Sequence, residues 1–122
     1  MHRSLVVSVV LLLALPTLTG CNKIAARAEL KKGNALYANE SYSEALVEFQ
    51  KGLELDPGAT FAWKSLGFTA LALYRPGDDS PKNVGYAKQA TEAFEKYLEE
   101  FPDDQKVRDY LLATYINAKR YD

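Results

Sequence analysis

The stretch YSEALVEFQKGLELDP, from Tyr42 to Pro57, decides the fold of this 122-residue chain. Ala45, Leu46, Phe49, Leu53 and Leu55 recur at helical spacing and make one apolar stripe. Asp56-Pro57-Gly58 stops the helix, because proline has no N–H with which to continue the ladder. Ser41 and Glu44 have the S-x-x-E spacing of a capping box at its start. The order alanine, phenylalanine four residues on, proline eight beyond, at Ala45, Phe49 and Pro57, returns 45 residues later at Ala90, Phe94 and Pro102. The opening tyrosine returns at Tyr121. Self-similarity of this kind is the mark of a stack of like units.

Outward from this segment the chain reads as further helices. Asn22 to Asn39 is rich in alanine, leucine and lysine, with Ile24, Ala28, Leu30, Ala35, Leu36 and Tyr37 as its apolar positions. A third helix is expected from about Thr60 to Tyr74, and RPGDDS, residues 75–80, is a loop by composition. Ser80-Pro81 reads as an N-cap followed by proline in the first helical position. The fourth helix is expected from Pro81 to Phe101, Pro102-Asp103-Asp104 breaks it, and Val107 to Lys119 makes a fifth. No run beyond residue 21 alternates as a strand would, so the class is all-α.

Composition narrows the function. Charged residues are 25% and apolar residues 48%, the balance of a globular domain, and the formal net charge is −1. Removing the first twenty residues removes Arg3 and leaves 14 basic against 16 acidic side chains, a net of −2. A nucleic-acid partner needs a basic stripe, so none is expected. The sole histidine is His2 and the sole cysteine Cys21, which leaves the rest of the chain without an imidazole, a free thiol or a disulfide. Asp78-Asp79 reads as a solvated pair on a Gly-Pro loop, and neither metal nor cofactor is expected. Catalysis would need two carboxylates facing each other across a cleft, and the chain is expected not to be an enzyme.

The first twenty residues are a leader. Arg3 gives a positive start, and Leu5 to Leu15 is an apolar run of eleven, well short of the roughly twenty residues that span a bilayer as a helix. Leu18-Thr19-Gly20-Cys21 resembles the lipobox of bacterial lipoproteins. That resemblance implies cleavage before Cys21, lipid attachment to Cys21, and a short tether over residues 21–25. Two or three acyl chains on one residue suffice for stable anchoring. Asn22 follows the cysteine, where aspartate favours inner-membrane retention, so the resemblance implies an outer-membrane anchor facing the periplasm.

The helix pairs resemble tetratricopeptide repeats. Gly33, Leu36, Tyr42, Ala45, Phe49 and Pro57 match the motif in residues 26–59, although Glu29 stands at the leading tryptophan. Trp63, Leu66-Gly67, Ala70, Ala90, Phe94 and Pro102 match it in residues 60–104, with eleven extra residues around 73–86. Residues 105–122 supply only the first helix of a third unit, with Leu111, Tyr115 and Tyr121. The resemblance implies a right-handed α-solenoid of antiparallel helix pairs, about two and a half repeats long. The apolar residues Leu111, Leu112, Tyr115 and Ile116 mean either a chain that continues or a surface that pairs with another molecule.

In such repeats the first helix of each pair lines a groove that takes a protein or peptide partner. Carried over by position, the groove residues are Arg27, Leu30, Asn34, Tyr37, Phe61, Lys64, Phe68, Leu71, Lys106 and Asp109, continued by Ala113 and Ile116. The carboxylate clamp of the chaperone-binding members is incomplete: Asn34 and Lys106 fit, whereas Leu30, Ser65 and Tyr110 do not. The implied function is an interaction scaffold or assembly factor of the bacterial envelope, of the pilus, secretion or outer-membrane assembly type. The alternative is a lipoprotein that stacks a glycan or small molecule on Tyr37, Phe61 and Phe68.

Overall fold

The computed structural model describes residues 16–119, and among these are five helices and no strand. They are α1 (Pro16–Ala38), α2 (Tyr42–Leu55), α3 (Thr60–Leu73), α4 (Pro81–Glu100) and α5 (Gln105–Lys119). The all-α class is as expected. The apolar run Leu5 to Leu15, Tyr121 and Asp122 lie outside the described residues. α1 starts earlier than expected, at Pro16, and residues 21–25 are helical within it. No helix among the described residues is long and apolar enough to cross a membrane.

Each helix packs mainly on its sequence neighbours, and α1 also touches α3. Along α1 and α2 the partners run in opposite directions: Leu36 accepts a hydrogen bond from Ser41, Gly33 meets Phe49, and Leu30 meets Gly52. Neighbours joined by short loops have no other way to pack. The same order holds for α3 and α4, where Arg75 meets Asn83, Gly67 meets Phe94, and Thr60 meets Glu100.

Two glycines set how closely these pairs approach. A Cβ added to Gly33 would lie 2.9 Å from Phe49 Cδ1 and Cε1, and one added to Gly67 would lie 2.5 Å from Phe94 Cε1. Both phenylalanines are essentially fully buried, as are Ala45 and Ala90 one turn earlier. Each ring therefore lies on bare backbone of the facing helix, in the arrangement the Ala-Phe spacing implied.

The helix starts divide. Ser80 is the N-cap of α4 with Pro81 in the first helical position, as read from the sequence. The expected capping box of Ser41 and Glu44 does not form, for Ser41 makes no side-chain cap bond. The reason is that α1 ends in a tight turn in which Glu40 N–H bonds Tyr37 O at 3.0 Å and Ser41 N–H bonds Leu36 O at 2.9 Å. This is the Schellman arrangement, and it takes the N–H to which Glu44 would have reached back. Glu40 sits in the left-handed region at φ 61° to close it.

The extra length in the second pair is folded rather than loose. α4 has 20 residues against 14 in α2, and the preceding loop is held by one buried side chain. Asn83 Nδ2 donates to Arg75 O at 2.8 Å and Asp78 O at 2.7 Å, while its Oδ1 accepts from Arg75 N–H at 2.7 Å.

Gly67→Ala is expected to lower the melting temperature. Alanine's helix preference gains about 1 kcal/mol, but overpacking a filled core costs about 1–3 kcal/mol, and the buried Phe94 ring has nowhere to move. Gly85→Ala in α4 meets nothing within 4 Å and is expected to raise it. Thermal denaturation followed by circular dichroism decides: a rise in both variants would remove the packing role of Gly67.

Candidate functional site

The groove starts from a difference between the two pairs. Leu30, three residues before Gly33, lies over Gly52, whose added Cβ would be 2.5 Å from Leu30 Cδ2. The matching place in α3 is Lys64, and it lies over Tyr97 with Nζ 5.1 Å from the ring centroid. A leucine over a glycine in one pair becomes a lysine over a tyrosine in the next. The larger ring beneath Lys64 puts a charge on the groove wall where the first pair has an apolar side chain.

Two depressions along α1 and α3 share Asn34, Phe49 and Ser65 and so run into each other. The larger, about 390 Å³, continues to Leu30, Thr60, Phe61 and Glu100. The smaller, about 210 Å³, continues to Tyr37, Lys64 and Phe68. Six of the expected groove residues thus meet: Leu30, Asn34, Tyr37, Phe61, Lys64 and Phe68. Four do not line either depression. Arg27 is exposed one turn before Leu30, and Leu71 is half-buried against the core. Lys106 holds its Nζ 5.6 Å from the Phe68 ring centroid, at the edge toward α5, and Asp109 accepts a hydrogen bond from Gln105 of its own helix at 2.7 Å. Ala113 and Ile116 are exposed on α5.

The aromatic residues differ in how free they are. Phe61 is 68% exposed, with its ring stacked on Phe101 at 5.1 Å between centroids. Phe68 is wedged edge-on between Phe94 at 5.0 Å and Tyr110 at 5.1 Å, so it packs and lines the groove at once. Trp63, expected in the core, is half-buried against it and donates from Nε1 to Pro57 O at 3.0 Å.

One carboxylate that the sequence reading treated only as part of a helix breaker organises the wall. Asp104 Oδ2 accepts from Lys64 Nζ at 2.7 Å and from Tyr97 Oη at 2.9 Å, and its Oδ1 accepts from Val107 N–H at 3.2 Å. It is the N-cap of α5 and joins three helices. Lys64, then Tyr97, then the Val107 N–H hold its carboxyl down to about 2. The Asp104 hydrogen bond raises Lys64, and burial, followed by the bond to Asp104, raises Tyr97. An aspartate directly before a new helix is an N-cap signal, and that was the available clue. Glu100 was missed too; it takes the Thr60 hydroxyl hydrogen bond from the start of α3.

A pair of carboxyls does exist elsewhere. Glu48 is buried between α1 and α2, with Lys32 Nζ at 2.8 Å and Lys51 Nζ at 3.5 Å. A hydrogen bond with Glu29, then one with Lys32, lowers Glu48 to about 2, and the bond to Glu48 raises Glu29. Glu48 Oε2 is buried and has no donor until Glu29 takes up a proton, which is why the proton is held there. Neither residue lines the groove. Among the described residues no group of three His, Cys, Asp or Glu is placed to hold a metal ion.

The stabilisation from Asp104 is complete above the unfolded carboxylate value of about 4 and is lost as pH falls through its folded value of about 2. Asp104→Asn is expected to lower the melting temperature at pH 7, with the gap to the parent chain closing between about pH 4 and pH 2. A gap unchanged down to pH 2 would show that the Asp104 charge does not tie the helices together.

No protein-family model matches the chain, and no curated protein matches it.

Proposed function

We propose that this chain is a lipid-anchored, non-catalytic scaffold of the bacterial envelope that holds a segment of a partner protein in the groove between α1 and α3. The observation that carries this is the meeting of Leu30, Asn34, Tyr37, Phe61, Lys64 and Phe68 along one continuous depression. Apolar and aromatic walls with a few polar groups suit a peptide laid along the groove. The repeated seating of Phe49 on Gly33 and Phe94 on Gly67 supports reading the helix pairs as tetratricopeptide-type units of a right-handed solenoid.

The anchor is assigned to Cys21, on the strength of the lipobox Leu18-Thr19-Gly20-Cys21. Its side chain is exposed on the first turns of α1, clear of the packed helices. Asn22 directs the reading to an outer membrane and a periplasmic face. Pilus, secretion-channel or outer-membrane protein assembly is the kind of work such a scaffold does.

Cys21→Ser is expected to move the chain from the membrane fraction to the soluble periplasmic fraction. Retention on membranes would refute the lipid anchor. For the groove, a photo-reactive benzoylphenylalanine in place of Phe61 is expected to crosslink a partner protein in cells, and Tyr37→Ala is expected to abolish that adduct. An adduct insensitive to Tyr37→Ala would place the contact outside the groove.

A further inference from the structure

We propose that the mouth of the groove, between Phe61 and Glu100, is a subsite for a basic side chain of the bound segment. The proposal rests on the groove reading above and adds charge selectivity to it. Of the residues lining the larger depression, Glu100 alone is charged. The Thr60 hydroxyl occupies its Oε2, which leaves Oε1 to accept from a ligand. Phe61 borders the same space; one face of its ring stacks on Phe101, and its 68% exposure leaves the other to solvent. A cation is drawn to an aromatic face and to a carboxylate together. The stem of a lysine or arginine is apolar and covers Leu30 and Ala59, which line the approach.

The neighbouring charges favour the same sign. Lys64, the nearest cation of the groove wall, is compensated by Asp104 at 2.7 Å. Arg27 and Lys106 lie outside the lining of this depression, the latter against Phe68. A ligand carboxylate or phosphate would therefore meet Glu100 with no free cation to offset it. An apolar side chain would strip water from Glu100 and return nothing. The ammonium or guanidinium group of a partner's lysine or arginine satisfies both walls.

The test is selection from a degenerate heptapeptide library on the full chain immobilised in detergent. The peptides are N-acetylated and C-amidated, so that only side chains carry charge. Lysine and arginine are expected to be enriched about three- to tenfold at one position of the retained peptides, as fits a partly exposed ion pair with a cation–π contact. The enrichment is expected to fall with added salt. Glu100→Gln, at an exposed site, is expected to erase the enrichment while other peptides stay bound, and Phe61→Ala to reduce it. Retained peptides with no basic enrichment, or enrichment untouched by Glu100→Gln, would overturn the subsite and leave the groove standing. Retention of no peptide at all would overturn the groove reading, and the subsite with it.

Discussion

A phenylalanine ring pressed on glycine backbone is the contact on which the rest of this structure depends. Phe49 on Gly33 and Phe94 on Gly67 leave no room for a Cβ, so each pair of helices is drawn to the short end of the usual packing range. Once that distance is set, the next layer along the pair has limited space to share. Leu30 is large and Gly52 has no side chain; in the second pair Tyr97 is large, and Lys64 crosses over its ring. The groove thus inherits its one wall charge from a choice made in the packing. Leucine in α1 stays against the core, while lysine in α3 has to extend to a partner.

Asp104 is that partner, and it solves several problems at once. It caps α5, receives the Tyr97 hydroxyl that would otherwise be buried without an acceptor, and compensates Lys64. A surface ion pair alone contributes little, but a carboxylate with three donors from three elements also fixes where α5 begins relative to α3 and α4. Phe68 benefits from that placement, since Tyr110 and Lys106 of α5 close on it from one side and Phe94 of α4 from another. The aromatic wall of the groove is therefore rigid at Phe68 and open at Phe61.

The helices and their pairing were legible because the signals are local. Ala45, Phe49 and Pro57 declare a stripe and a stop within one segment, and their return at Ala90, Phe94 and Pro102 declares a second pair. Six groove positions followed from spacing for the same reason. Leu71 did not, because α3 turns it into the core beyond Phe68, and periodicity alone does not say which of two neighbouring faces a helix gives up to packing. The capping box failed because the N–H it needs was claimed by the preceding helix end, a competition between two local motifs. Glu100 and Asp104 were not legible as groove residues, since Thr60 and Lys64 are each 40 residues away from them in sequence. A contact at that distance is known only when the fold is known.

The two ends of the helix stack are finished differently, and the same glycine contact explains how. At α1, Glu29 stands where α3 has Trp63, and Lys32 where α3 has Leu66; together with Glu48 they form a charged layer on the side with no earlier helix. Burying Glu48 adds little net stability, because desolvation offsets the ion pair, but a polar layer is what the open end of a stack of like units requires. At α5 the matching positions carry Leu112 in place of Gly67 and Tyr115 in place of Ala70, and Leu112 and Ile116 are 60% and 55% exposed. A ring could not lie on the α5 backbone as Phe94 lies on that of α3, because the Leu112 side chain fills the space. Whatever packs on this face must meet it by a contact of another kind than the one that builds both pairs.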